Sequence, residues 1–356
     1  LGTWMRALKL PLLTGVAVRS CRADCCHSDL DAAIQQGTAL PTQDLLARVL
    51  QLAAEGRLML ARRHLAALEL RQDIPAMTSE MEAELWRVRR TGSKVLGLRQ
   101  CLSTEAGWTQ SISFAGIRCW HQQAQPGRGV VRVCAEAEVD APLFDLLSIF
   151  YEVDFWHRWA PSFGHLGLKS AGLLGQKGPL RLVYWLEASL PWPFQHRVCR
   201  FAVEAVDCMS AGEQPQQIVI LLDSQEAPSI CPELLDAESP EWQGVLADVL
   251  DSGFILTPPE VGGTSGTKVQ VLLNLDPKMV VPDWLVKYAA MNLCLLIFLQ
   301  YRAAMRLART PEFLERSCDP KHPFYSHIRK RMAESLPSQL EQAPAVRPEG
   351  CRNQQC

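Results

Sequence analysis

Apolar positions recur at helical spacing early in the chain, at alternate positions through its middle, and on all sides of one segment near its end. Leu45, Leu46, Val49, Leu50 and Leu52 predict a first helix, opened by Pro41 and Thr42. Glu55-Gly56 interrupts it, and Leu58, Leu60, Leu65, Leu68 and Leu70 predict a second, so that the two make a helical hairpin. A third helix starts at Thr78 as N-cap and runs to about Leu98. After Gly107 the period changes to two. "WTQSISFAGIRCWHQQ" alternates about Gly116 as a hairpin does, and Val131, Val133, Ala135, Ala137 and Val139 set a dry face against Arg132, Cys134, Glu136 and Glu138. Pro142 opens a helix over "PLFDLLSIFYEVDFW". Five strands follow: "LRLVYWLEASL", "HRVCRFAVEAVD", "QQIVILLD", "GFILTP" and "KVQVLLNLD". Between the third and fourth lies an acidic insert, 226–251, where Val245, Leu246, Val249 and Leu250 predict a short amphipathic helix.

The segment 282–307 is unlike the others. From Tyr288 to Leu299 it is apolar on every side except at Asn292. A surface helix is apolar along one stripe only, and a bilayer crossing needs roughly 20 residues. Strands in runs bracketed by helices predict an α+β antiparallel sheet with helices on one face. A helix apolar all round fits that architecture if it lies across the concave face of a curved sheet. The space enclosed is then either a packed core or a cavity for an apolar guest. The chain divides into a poorly ordered or targeting-like segment, 1–40; a helical hairpin plus third helix, 41–100; the sheet-bearing domain, 101–310; and a polar, partly disordered tail, 311–356.

A net charge of −2 does not suggest nucleic acid as a partner. The distribution says more. No Lys or Arg stands between Phe201 and Thr267, where there are twelve Asp and Glu, whereas 86–99 carries Arg87, Arg89, Arg90, Lys94 and Arg99 and no acid. Such segregation either orients a protein on an anionic surface or marks solvated helix faces. Residues 1–23 are basic without acids, compatible with a transit-type segment. Thirteen cysteines without regular spacing read as reduced thiols packed as small hydrophobes. "CRADCCH" and "CRNQQC" lack zinc-site spacing, and no metal or cofactor is expected. His157, His165, His196 and Glu187 are acid–base candidates, but no spacing links them, and no hydrolase, metalloprotease or phosphate-binding motif occurs.

Four segments, in order, resemble one family. "GWTQSISFAGIRCWHQ" is similar to the opening strands of START domains, the lipid-transfer modules related to steroidogenic acute regulatory protein. "AEVDAPLFDLLSIFYEVDFWHRWAPS" resembles their first internal helix and the Trp-containing turn after it. "YWLEASLPWPFQHRVCRF" resembles a strand–Pro–strand hairpin, and "GFILTPPEVGGTSGTKVQVLLNLDPKMVVPDWLVKYAAMN" the last strands and the start of a lid helix. The resemblance covers roughly 105–308. It implies an α+β helix-grip fold, a curved antiparallel sheet around a long C-terminal helix, preceded here by a helical segment outside the match. It also implies non-catalytic binding of one lipid, such as a sterol or phospholipid, for transfer or sensing in the cytoplasm, with transient contact at membrane surfaces. In the family's acidic–Arg–acidic triplet Arg197 matches, while His196 and Val198 stand where acids are usual.

The expected ligand-binding residues are Trp185, Glu187, Arg197, Leu285, Ala289, Asn292, Leu296 and Leu299. The last five share one helical stripe, which faces either ligand or packed core. Asn292 meets a head group or a backbone carbonyl or water. Arg197 meets lipid or a carboxylate, with Glu187 the candidate across the hairpin. The resemblance also implies a gate formed by the loop before the lid helix, about Asp276–Pro282, and by that helix; within it Met279, Val280 and Val281 either dip into a membrane or pack on the sheet edge. Two other functions compete: an enzyme built in the cavity of the same superfamily, cyclase- or hydrolase-like, and an interaction protein that engages a partner through 41–72.

Overall fold

The computed structural model describes residues 40–71, 77–104, 106–114, 116–122, 129–160, 162–163, 166–190, 194–210, 215–235, 244–259, 266–279, 300 and 303–337. The segment 1–39 and the apolar run 280–299 lie outside the described residues.

The three expected N-terminal helices are α1 (Thr42–Ala54), α2 (Leu58–Glu69) and α3 (Ser79–Ser103). Thr78 caps α3, its hydroxyl accepting from the Met81 amide at 3.3 Å. The strands are β1 (Thr109–Phe114), β2 (Ile117–Gln122), β3 (Val131–Val139), β4 (Ser162–Phe163), β5 (Leu166–Gln176), β6 (Arg181–Ser189), β7 (Arg197–Cys208), β8 (Gln217–Asp223), β9 (Val245–Val249), β10 (Ser252–Thr257) and β11 (Thr267–Asp276). Between β3 and β4 lie α4 (Leu143–Tyr151) and the short α5 (Trp156–Trp159), and after β8 the short α6 (Ala227–Ile230). The chain then adds α7 (Pro311–Ser317) and α8 (Pro323–Ser335).

All eleven strands join one sheet in the order β1-β2-β3-β11-β10-β8-β7-β6-β5-β4, antiparallel throughout along that path. β9 lies off the path, pairing with the end of β11 and, in parallel, with the start of β7. This corrects the amphipathic helix expected over 245–250. Val245, Ala247 and Val249 alternate into the sheet as a strand, filling the place that β8 leaves when it turns away after Asp223.

Each sheet face has its own core, and alternation along the strands sorts the side chains between them. One face gathers Val133, Cys199, Phe201, Ile220, Leu256 and Val271, with α4 and α8 upon it. The other gathers Cys134, Val206, Val219, Leu221, Ile255 and Leu272 beneath α1–α3. The helices therefore cover both faces, not one. The apolar stripe of the hairpin 41–72 is used internally, with Leu45, Val49, Leu52, Leu58 and Leu65 at most 1% exposed.

The segregated charges explain how α3 is seated. Arg87 pairs with Glu204 on β7, Arg90 with Glu226 at 2.5 Å, and Lys94 with Asp223 on β8 and with Glu226 at 3.1 Å. The basic run and the acidic stretch thus meet each other through Arg87, Arg90 and Lys94. The α1–α2 turn adds a steric lock. Gly56 has φ 75°, and a Cβ there would come within 2.2 Å of Leu180. Its carbonyl accepts from the Asp207 amide at 2.9 Å. Gly56→Ala is expected to destabilise the protein by about 1–2 kcal/mol, read from urea unfolding, because alanine resists positive φ even where space can be made.

The tail expectation is corrected between 311 and 336. Phe324, Tyr325, Ile328 and Met332 of α8 are core residues at i, i+1, i+4 and i+8. Three histidines of the helices are held below their ordinary range, first by burial: His64, His322 and His327. Each has a buried ring nitrogen without a hydrogen-bond partner. They fold neutral, so their stability contribution is complete above the unfolded value near 6.5 and is lost as pH falls below it. The urea midpoint should fall between about pH 7.5 and about pH 5.5, above the carboxylate range, and His327→Gln should flatten that slope.

Candidate functional site

The face carrying α4 and α8 is the candidate site, because its described strands present an almost unbroken apolar surface. On β3 and β6–β11, alternation turns Val131, Val133, Leu186, Phe254, Leu273 and Leu275 to this side, each against or within its core. Two charged residues of these strands point the same way among the described residues, Arg197 and Asp207, at opposite ends of β7. Both are answered from within the protein. Asp207 accepts from Arg331 at 2.5 Å and from the Met209 amide at 2.8 Å. Buried Cys199, beside Arg197, has its thiol pushed up to about 12 by desolvation, so it packs as a neutral hydrophobe.

Arg197 is 7% exposed and has no carboxylate partner among the described residues. Its guanidinium donates to the carbonyls of Pro277 at 2.7 Å and Gln195 at 2.6 Å, and lies 3.0 Å from Met279 Sδ. It therefore fastens the chain leaving β11 to the start of β7. A second tie lies beside it. Lys278, at φ 54°, pairs with Asp248 of β9 at 2.5 Å and with Asp276 at 2.8 Å. The stretch 276–279, read from sequence as the start of a gate, is thus pinned at two points just before 280–299.

The Glu187–Arg197 pair is corrected by register. Glu187 stands opposite Val198 and Arg197 opposite Ala188, so the two side chains project from opposite faces. Glu187 instead accepts from Lys169 at 2.8 Å and Ser170 at 3.2 Å and contacts His196 Nδ1 at 2.9 Å. These partners hold its carboxyl below the usual range against the cost of desolvation. Trp185 shares that outer face, its indole over Gly172, the cross-strand partner. Trp185 and Glu187 thus point away from the apolar face. Of the gate residues, Met279 is placed, whereas Val280 and Val281 lie outside the described residues, as do Leu285, Ala289, Asn292, Leu296 and Leu299.

The wall opposite the sheet is built by α4, α5, α7 and α8. Phe150 meets Phe254 at a ring separation of 4.7 Å, and Tyr151 stacks on Phe324 at 3.9 Å. The Tyr184 hydroxyl donates to the Tyr151 carbonyl at 2.8 Å. Glu152, buried where α4 ends, accepts from the Tyr325 hydroxyl at 2.8 Å and from Arg316 at 2.6 Å. Burial pushes the Asp145 carboxyl up, opposed by Arg309 at 2.6 Å. Ala304, Ala308 and Phe313 pack on Ile149 and Phe155, so the chain beyond 302 is anchored on α4 and α5. Sequence reasoning did not find Glu152, Tyr325, Asp207 or Arg331. The available signal was the apolar stripe of α8, obscured by the basic residues Lys321, Arg329, Lys330 and Arg331.

Among the described residues no cluster of three or more His, Cys, Asp or Glu could hold a metal ion, and no helix is long and apolar enough to cross a membrane. No protein-family model matches the chain, and neither does any curated protein. Among solved structures it is similar to human STARD10, at 16% identity and a TM-score of 0.49, over 78% of this chain and 94% of that one. Human StAR-related lipid transfer protein 5 aligns at 13% identity and a TM-score of 0.48, over 63% and 99%. A STAR-related lipid transfer protein fragment from Xanthomonas axonopodis aligns at 16% identity and a TM-score of 0.43, over 56% and 99%.

Proposed function

We propose that the chain binds one lipid, without catalysis, against the apolar sheet face beneath α4, and carries it between membranes or reports its presence. The observation that carries this reading is the polarity of that face. Its strands are apolar, and the charges at either end of β7 are already engaged by protein groups. A lipid carrier needs such a lining. A methylene removed from water is worth about 0.8 kcal/mol, so a 16-carbon chain supplies on the order of 12 kcal/mol before costs. Hydrogen bonds at about 1 kcal/mol each add little to that sum.

In this reading Leu285, Ala289, Asn292, Leu296 and Leu299 complete the lining, and Met279, Val280 and Val281 meet the membrane when lipid is exchanged. Native mass spectrometry of the full chain purified from its own cells tests the reading: a stoichiometric adduct of lipid mass is expected, and protein that carries no lipid and takes none from liposomes would overturn it. For the membrane contact, the double variant Val280→Asp, Val281→Asp should sediment with liposomes several-fold less than the parent. Undiminished sedimentation would assign those residues to packing on the sheet edge.

A further inference from the structure

On the opposite side of the sheet, between α3 and the ends of β3, β10 and β11, lies a cleft of about 560 Å³. That is within the roughly 300–1,000 Å³ typical of small-molecule sites. Its floor is apolar, with Leu98 and Cys101 from α3, Leu221 from β8, Leu272 from β11, and Val130 and Leu250 at the sides. The helical wall is low at Gly97, where an added Cβ would meet nothing within 4 Å. The α3 helix thus leaves an opening where almost any other residue would have covered the floor.

The polar groups at the cleft are unequal in sign. Arg90, Lys94 and Arg132 line it with a single acid, Asp251. Arg90 and Lys94 are committed to Glu226 and Asp223. Arg132 is different. Its guanidinium reaches the neutral oxygens of Asn274, at 2.9 Å, and Gln122, and its carbon lies 5.5 Å from the Trp108 ring centroid. No carboxylate pairs with it among the described residues. The arginine is nevertheless held in place, because Asn274 donates in turn to the carbonyls of Leu250 and Asp251 at 3.0 and 3.1 Å. An oriented cation without an anion, above an apolar floor, selects an anionic amphiphile.

We propose that this cleft is a second ligand site, separate from the lipid-binding face, and that it takes a small amphipathic carboxylate. The carboxylate bonds to Arg132, and the apolar body lies over Leu98 and Leu272 in the opening left by Gly97. Complementarity of charge commits the site to an anion, and the size of the cleft commits it to a single short chain.

The test is a titration of the full-length chain with dodecanoate, with 1-dodecanol as the uncharged control, followed by calorimetry. Saturable binding of dodecanoate is expected, at least about tenfold tighter than dodecanol, since one charge-assisted contact is worth about that factor. Arg132→Gln should erase the preference for the acid. Gly97→Phe should fill the cleft and reduce dodecanoate binding at least about tenfold while thermal stability holds or rises, because glycine is a poor helix residue. Ala171→Trp, on the other side of the sheet, should leave this binding intact. The proposal is overturned if the parent binds no dodecanoate, or if both cleft variants bind it as the parent does. Binding that is lost in Ala171→Trp alone would place the probe on the lipid-binding face and would also overturn it. Neither result bears on the lipid adduct expected in native mass spectrometry.

Discussion

Replacing Arg331 by Met should lower the stability of the protein by about 3–5 kcal/mol, the largest single-residue effect expected here. Arg331 Nε lies 2.5 Å from Asp207 Oδ2, and the two side chains are 6% and 5% exposed. Removing the guanidinium leaves a carboxylate in the core with one amide donor, from Met209. The cost is that of an unpaired buried charge, not the net worth of the pair. The two are separable. The double variant Arg331→Met, Asp207→Leu should recover most of the loss, since an apolar substitute for a buried pair is often neutral. Glu334, the other partner of Arg331, is 47% exposed and contributes little. Urea unfolding of the parent, the single and the double variant measures all three. A single-variant loss below about 1 kcal/mol would show that water reaches the pair. The consequence is structural: α8 closes one end of the apolar face with Phe324, Tyr325 and Ile328, and this ion pair ties it to β7.

How far the sequence disclosed this architecture depended on whether one side chain's neighbours could be inferred from its own surroundings in the chain. Leu45, Leu46, Val49 and Leu52 specify a helix because helical period and burial coincide. The alternation of β3 specifies a strand with one dry face for the same reason. β9 was hidden because Val245, Leu246, Val249 and Leu250 also satisfy helical spacing, and a five-residue strand gives too few turns of either period to decide. β5 was hidden by its composition. Its Gly, Ser and Lys residues reflect two bulges, at 168–170 and 173–175, where the ladder is broken. The acidic stretch 201–267 and the basic run 86–99 were both visible, but that they meet depends on which face α3 covers, a fact of tertiary structure. The Glu187–Arg197 error has the same origin. The residues are near across the hairpin, yet a one-residue difference in register puts them on opposite faces. For the candidate site, Arg197 was legible as a residue of interest, but its role in fastening Pro277 and Met279 was not.

Ala171→Trp should weaken lipid binding roughly 50-fold while the fold persists. Ala171 lies on β5 opposite Leu186, which is itself opposite Cys199 on β7, so the three share a row on the apolar face. Ala171 and Leu186 are only partly buried there, which means that the surface around them is not filled by the described protein. An indole in that row excludes several methylenes of any chain laid along the face. At about 0.8 kcal/mol each, loss of three costs about 2.4 kcal/mol, roughly 50-fold in affinity. The substitution adds bulk at a partly open site, so its stability cost should sit at the low end of the about 1–3 kcal/mol that small-to-large changes carry. Lipid pick-up from fluorescent liposomes, measured beside urea unfolding of the same preparation, separates the two effects. Leu273→Trp, on β11 opposite Val133, probes the same face from its other half and should act in the same direction. If both variants load lipid as the parent does, the ligand does not lie on this face, and the assignment of function to it fails even if the protein proves to carry lipid elsewhere.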